Sequence, residues 1–224
     1  MTREIILDTE TTGLKPEEGH KLIEICAMEI VNGVKTGAVF HNYINPLREV
    51  PEEAFRIHGI STEFLADKKA FAEIAQEFVD FIKDATLVIH NARFDVGFLN
   101  YELKSLGHSP INLSEVVDTL ALARRKFPGA PANLDALCKR YKISLDKRDK
   151  HGAFIDVELL YQVYMHLLEK HLLIKDTKEL EIKQTNVIVD RPYKEDRHYS
   201  CSKEELEAHT EFLKNIKNPI WNNY

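Results

Sequence analysis

Asp8-Thr9-Glu10 follows directly on the apolar residues Ile5-Ile6-Leu7. Side chains alternate across a strand, so in an extended segment Asp8 and Glu10 share one face. Two carboxylates emerging together from an apolar strand repel each other and resist burial as anions. A hard divalent cation relieves both problems. The same pair also reads as an ordinary solvated strand end. A second group, Asn91-Ala92-Arg93-Phe94-Asp95, comes directly after Leu87-Val88-Ile89-His90. Asp95 falls near a helix start, where the helix dipole also favours a carboxylate, and Asn91 suits a turn or cap. The third group is His151-Gly152-Ala153-Phe154-Ile155-Asp156. Gly152 permits a sharp turn before a long helix. That places His151 at the mouth of the helix and Asp156 one turn inside, with Phe154 and Ile155 available to the core. An Asp in an apolar helical segment needs a partner, whereas His151 taken alone reads equally as a surface or capping residue. Jointly, Asp8, Glu10, Asp95 and Asp156 offer hard oxygen ligands for two Mg²⁺ or Mn²⁺ ions. His151 offers a base that titrates near neutrality.

The elements that must position these groups are legible in outline. Residues 4–8 read as a short buried strand ending in the polar turn Thr11-Thr12-Gly13. Leu22 to Val31 and Val34 to Ile44 are β-rich runs joined by Asn32-Gly33, a hairpin signal. From Phe71 the pattern becomes helical, with Phe71, Ile74, Ala75, Phe78 and Ile82 at three- and four-residue steps. Ala85 to His90 form a further strand, and Phe94 to Leu106 a helix stopped by Gly107. Two more helices are expected, over Asn133–Tyr141 and Gly152–Leu172. Hairpins first, then alternating helix and strand, predict an α/β fold with a mixed sheet flanked by helices.

After Leu173 the character changes. Residues 174–200 are rich in Lys, Glu and Asp and read as a linker between a domain over 1–173 and a tail over 201–224. In that tail, Ser202-Lys203-Glu204-Glu205 is a capping box. Leu206, His209, Phe212, Leu213 and Ile216 then fall on one face of a short amphipathic helix, followed by the chain's single Trp, Trp221. This pattern suits docking on a partner, although the helix also reads as packing back on its own domain.

Composition narrows the classes. At 224 residues, 44% hydrophobic and 29% charged, the chain is that of an ordinary globular protein. No apolar run approaches the ~20 residues that span a bilayer, so no membrane role is expected and the default compartment is the cytoplasm. Cys26, Cys138 and Cys201 are far apart and form no CxxC, which argues against a disulfide framework or a zinc site. A net charge of −6 excludes coating nucleic acid by bulk electrostatics, but not gripping a few nucleotides locally. Lys139, Arg140, Lys142, Lys147, Arg148 and Lys150 lie just before His151 and suit phosphate contacts or a solvated basic face equally.

The motifs Asp8-Thr9-Glu10-Thr11-Thr12-Gly13, Asn91-Ala92-Arg93-Phe94-Asp95 and His151-Gly152-Ala153-Phe154-Ile155-Asp156 resemble those of the DnaQ-like DEDDh exonuclease family. The His five residues before the last Asp distinguishes it from the tyrosine branch, which places Tyr four residues before. The resemblance spans residues 3–172 and extends through Gly19-His20-Lys21-Leu22-Ile23-Glu24-Ile25, Phe55-Arg56-Ile57-His58-Gly59-Ile60 and Asn133-Leu134-Asp135-Ala136-Leu137-Cys138. It implies a ribonuclease H-like fold and 3′→5′ hydrolysis of single-stranded or frayed DNA ends. It also implies metal ligation by Asp8, Glu10 and Asp156, with Asp8 reaching a second ion, Asp95 holding its water shell and His151 as base. Glu53 and His58 match positions that contact the terminal nucleotide. By residue type alone they read as a first-turn acid and a turn residue before Gly59. The tail, by the same resemblance, docks on a polymerase catalytic subunit, which implies a place with bacterial nucleoid-associated replication machinery. Gln184-Thr185-Asn186-Val187 is only a weak version of the family's sliding-clamp motif. An RNA-trimming relative and a non-catalytic scaffold are the rival readings; the intact set of five site residues weighs against the scaffold.

Overall fold

The structure, a computed structural model, describes residues 2–146, 151–168 and 202–214. Three antiparallel strands come first: β1 (Arg3–Thr11), β2 (Leu22–Val31) and β3 (Val34–Tyr43). The turn between β2 and β3 puts both Asn32 (φ 52°) and Gly33 (φ 79°) in the left-handed region, as the tight turn of a twisted hairpin requires. β4 (Thr86–Ile89) then pairs parallel to β1, and β5 (Val116–Asp118) parallel to β4. The resulting five-stranded sheet has the order β3-β2-β1-β4-β5. This is the mixed sheet that the order of elements predicts.

Helices cover both faces. α1 (Glu52–His58), α2 (Thr62–Leu65) and α3 (Phe71–Ile82) follow the hairpin, and α4 (Ala92–Ser105) follows β4. α5 (Thr119–Lys126), α6 (Leu134–Tyr141) and α7 (residues 153–168) follow β5. Strand alternation divides the core in two. Ile5, Leu7, Ile25, Leu87 and Ile89 face α3 and α4, where Phe78 and Phe98 are fully buried. Burying each such ring contributes about 1.5–3 kcal/mol. Ile6, Cys26, Met28 and Val88 face the other way, onto α5, α6 and α7. This parity decides where every site residue on β1 points.

Several expectations change in detail. β1 continues past Asp8 to Thr11, with an irregularity in its pairing at Glu10/Thr11, so the paired carboxylates lie within the strand rather than beyond it. β5 and α5 have no counterpart in the sequence reading, because a three-residue strand carries no readable periodicity. Gly152 is not held by a left-handed backbone, and a side chain there would meet open space, so the sharp-turn reason for it does not hold. Phe154 is exposed rather than in the core. Cys26 and Cys138 are both buried thiols, and burial pushes Cys26 up to about 12, which keeps it protonated and unreactive.

The chain divides into two compact units, Met1–Glu179 and Leu180–Tyr224. In the second, α8 (Lys203–Lys214) is the tail helix, with His209 and Phe212 exposed. The linker 174–200, Cys201, the 184–187 segment, Ile216 and Trp221 lie outside the described residues, as do Lys147, Arg148 and Lys150.

Candidate active site

Leu7 opposite Ile89 is the last residue pair between the parallel strands β1 and β4. Asp8, Thr9 and Glu10 therefore run on beyond the carboxyl end of β4, where open α/β sheets characteristically hold ligands. They line a cleft of about 490 Å³ together with Leu14, His90, Asn91, Phe94, Asp95, Asn133, Asp135, His151 and Asp156. The His20 ring lies 2.3 Å from where a Cβ on Gly13 would be, so a side chain at Gly13 would have to displace that ring.

Parity of β1 assembles the acids from two directions. Thr9 points with Ile5 and Leu7 to the α4 face, and there its backbone N–H and its hydroxyl both donate to Asp95 Oδ1, at 3.1 and 2.7 Å. Asp95 is 3% exposed in the first turn of α4. Asp8 and Glu10 point with Ile6 to the α7 face. Ligand atoms of Glu10, His151 and Asp156 all lie within 4.8 Å of one another. His151 Nδ1 is 3.4 Å from Asp156 Oδ2, with Asp156 buried and the His151 side chain half exposed at the cleft mouth. The chain before α7 is fixed from outside the sheet as well, since His151 N donates to the Ile57 carbonyl of α1 at 3.2 Å.

Electrostatics mark this as a cation site. Burial, then the negative charges of Asp95, Asp156, Glu10 and Glu24, raise the Asp8 carboxyl well above the usual range. Burial likewise pushes Asp95 up to about 7, against the lowering effect of the Thr9 hydrogen bonds. So many carboxyls in one cleft are mutually destabilising unless protonated or bound to a hard cation. The donor set of oxygens with one imidazole fits Mg²⁺ or Mn²⁺ and not a thiolate-loving metal.

All five residues singled out for catalysis and metal binding thus converge, from β1, α4 and the start of α7. Glu53 and His58 do not line this cleft. Glu53 is exposed in the first turn of α1, and His58 is buried at its end, where Nδ1 accepts from Ile60 N at 3.0 Å. Lys139, Arg140 and Lys142 are exposed around the end of α6. Sequence reasoning passed over Thr9, which holds Asp95, and Glu24, a carboxylate 1% exposed in the apolar first half of β2. Isolation of an acid among Leu22, Ile23, Ile25 and Cys26 was the available signal for the latter.

A strand-end cluster of four carboxylates and one histidine, set on this mixed sheet, defines a metal-dependent 3′→5′ exonuclease of the DEDDh type. The chain belongs to the RNase_T exonuclease family, whose pattern it matches over residues 5–164. Among curated relatives, the DNA polymerase III subunit epsilon of Rickettsia felis is 48% identical over 221 residues, covering 96% of each chain. That of Escherichia coli is 51% identical over 172 residues, 74% of this chain and 71% of the relative. The fold is shared with E. coli Exonuclease I in complex with a dT13 oligonucleotide (TM-score 0.64, 18% identity, 80% of this chain and 43% of that one). It is also shared with the nuclease domain of 3′hExo, a DEDDh family member bound to rAMP (TM-score 0.63, 16% identity, 75% and 92%).

Proposed function

We propose that this protein is the proofreading subunit of a bacterial replicative DNA polymerase, releasing nucleoside 5′-monophosphates from DNA 3′ ends. The observation that carries the reading is the convergence of Asp8, Glu10, Asp95, His151 and Asp156 in one cleft. Asp8, Glu10 and Asp156 would hold one Mg²⁺ or Mn²⁺ ion, and Asp8 with Asp95 a second; bound there, the ions would supply charge to neutralise the phosphate oxygens and to acidify a water.

His151 takes the proton of that water as its oxygen attacks the last phosphodiester in line, and the penultimate 3′-oxygen leaves with the shortened strand. Asp156, beside His151 Nδ1, orients the ring. The Thr9 hydrogen bonds hold Asp95 against rotation. Leu14 and Phe94 offer apolar surface to a base that has left its pair. Glu53 and His58, reached once the strand end is seated, are assigned to the terminal nucleotide on the strength of the motif match alone. Residues 201–224 are the docking segment for the polymerase catalytic subunit, and the working place is the cytoplasm, with the replication machinery. Sliding-clamp binding forms no part of the proposal.

The test is mononucleotide release from a 3′-labelled DNA primer ending in a mismatch, beside a paired primer and a matched RNA, with Mg²⁺ and with EDTA. Metal-dependent trimming, fastest on the mismatched DNA, is expected. Preference for RNA would overturn the proofreading assignment, and wild-type rates from H151A would overturn the role of His151.

A further inference from the structure

Glu24 has no part in the chemistry described above, yet it is almost completely buried beside it. In the β1/β2 register Glu24 is the direct partner of Glu10, so it points to the same α7 face. There it neighbours Tyr43, its direct partner on β3, and makes two hydrogen bonds of different kinds. Oε2 accepts from the backbone N–H of Ala153 at 3.1 Å, and Oε1 meets His41 Nε2 at 2.7 Å. Ala153 is the first residue of α7. A carboxylate supplied from a neighbouring strand therefore does what a local capping residue ordinarily does, at the favourable positive end of the helix. His41 stands two residues from Tyr43 on β3, with ring centroids 5.2 Å apart, and on its other side lies Phe154, at 5.4 Å. The imidazole is thus wedged between rings of β3 and α7.

We propose that Glu24, held by His41, is a positioning residue that sets the register of residues 151–156 and so aims His151 and Asp156 at the metal-binding acids. Two anchors act on this short segment. Ile57 holds the backbone of His151 from outside the sheet, and Glu24 holds the backbone of Ala153 from within it. Between them lies only Gly152, whose surroundings would not themselves constrain it. Losing the inner anchor frees α7 to turn or slide at its first residue, shifting Asp156 on the helix relative to His151 two residues before it. Contacts of this indirect kind change rate by about tenfold to a hundredfold while leaving substrate contacts in place.

The inference rests on the role proposed for His151, and the experiment separates the two. Full-length E24A, E24Q, H41A, H151A and the double variant E24A/H151A are assayed with a chromogenic nitrophenyl diester of a nucleoside 5′-phosphate, together with their melting temperatures. E24A is expected to lower kcat at least tenfold with KM changed less than threefold. E24Q keeps an acceptor for Ala153 N–H and is expected to recover most of that loss. H41A, altering a half-exposed residue and hence safe for folding, is expected to fall between E24Q and E24A. In the H151A background, adding E24A is expected to cost clearly less than it does in the wild-type chain, because part of its effect runs through His151. Wild-type kcat in both E24A and H41A would overturn the proposal, and so would fully multiplicative losses in the double variant. Should E24A fail to fold, H41A against E24Q decides by the same kcat-to-KM split. An H151A protein as active as wild type would instead overturn the catalytic reading and leave the Glu24 result to be judged on its own.

Discussion

At the scale of residues, function and stability pull against each other in this cleft. A carboxyl raised above its ordinary value binds its proton more tightly folded than unfolded. Its contribution to stability is present at low pH and is lost as pH rises from the unfolded value of 3.8 through the folded one, about 7 for Asp95. The metal-free protein should therefore melt progressively lower from about pH 4 to about pH 7, and saturating Mg²⁺ should recover more at the upper end of that range. D8N removes one charge from the crowd. It is expected to raise the metal-free melting temperature at about pH 8 by a few degrees, to remove the gain on adding Mg²⁺, and to abolish hydrolysis. Thermal unfolding of both proteins in EDTA and in Mg²⁺ checks this; equal melting temperatures in EDTA at all pH values would mean the Asp8 charge is not confined as described. Thr9 permits a finer test. T9V deletes the 2.7 Å hydroxyl bond to Asp95 and keeps the backbone one. We expect kcat about tenfold lower with KM unchanged, about 1 kcal/mol of stability lost, and recovery of rate in T9S.

At the scale of elements, what was legible depended on how local the cause was. The Asn32-Gly33 hairpin and α3, with its apolar residues at helical steps, follow from neighbours in sequence, and both formed where expected. Site residues were legible for the same reason, since Asp8 and Glu10 share a face through strand alternation alone. Glu24 was not, because its partners stand 17 and 129 positions away. β5 and α5 escaped because a three-residue strand shows no period, and only pairing with β4 makes it one. Asp118, the last residue of β5, is the hinge of this region. Its Oδ1 accepts from Leu120 N and Ala121 N at the start of α5, and from Asn91 N beside the cleft. D118A should accordingly cost about 1–2 kcal/mol, the usual price of a lost N-cap. In urea unfolding the midpoint should fall with an unchanged slope. A loss within error of zero would mean that water replaces these bonds and that the cap does not secure α5.

For the whole molecule, hydrolysis and DNA capture are differently provided for. The cleft is complete within the first compact unit, Met1–Glu179. Yet the chain carries a net charge of −6, and counterion release gives such a protein little affinity for DNA beyond the few nucleotides it holds at the metals. A partner holding the strand end, with the chain tethered to it as proposed, would raise the effective concentration of the end without any new contact at the site. A chain ending at Glu179 should cleave a small nucleotide diester within about twofold of the full-length rate, since no cleft residue is removed. It should not co-migrate with the polymerase catalytic subunit of its own organism. On a mismatched primer held by that subunit, only the full-length chain should be accelerated, and a peptide of residues 201–224 in excess should cancel the acceleration. Equal acceleration of the shortened chain would place the docking surface on the catalytic domain instead of the tail.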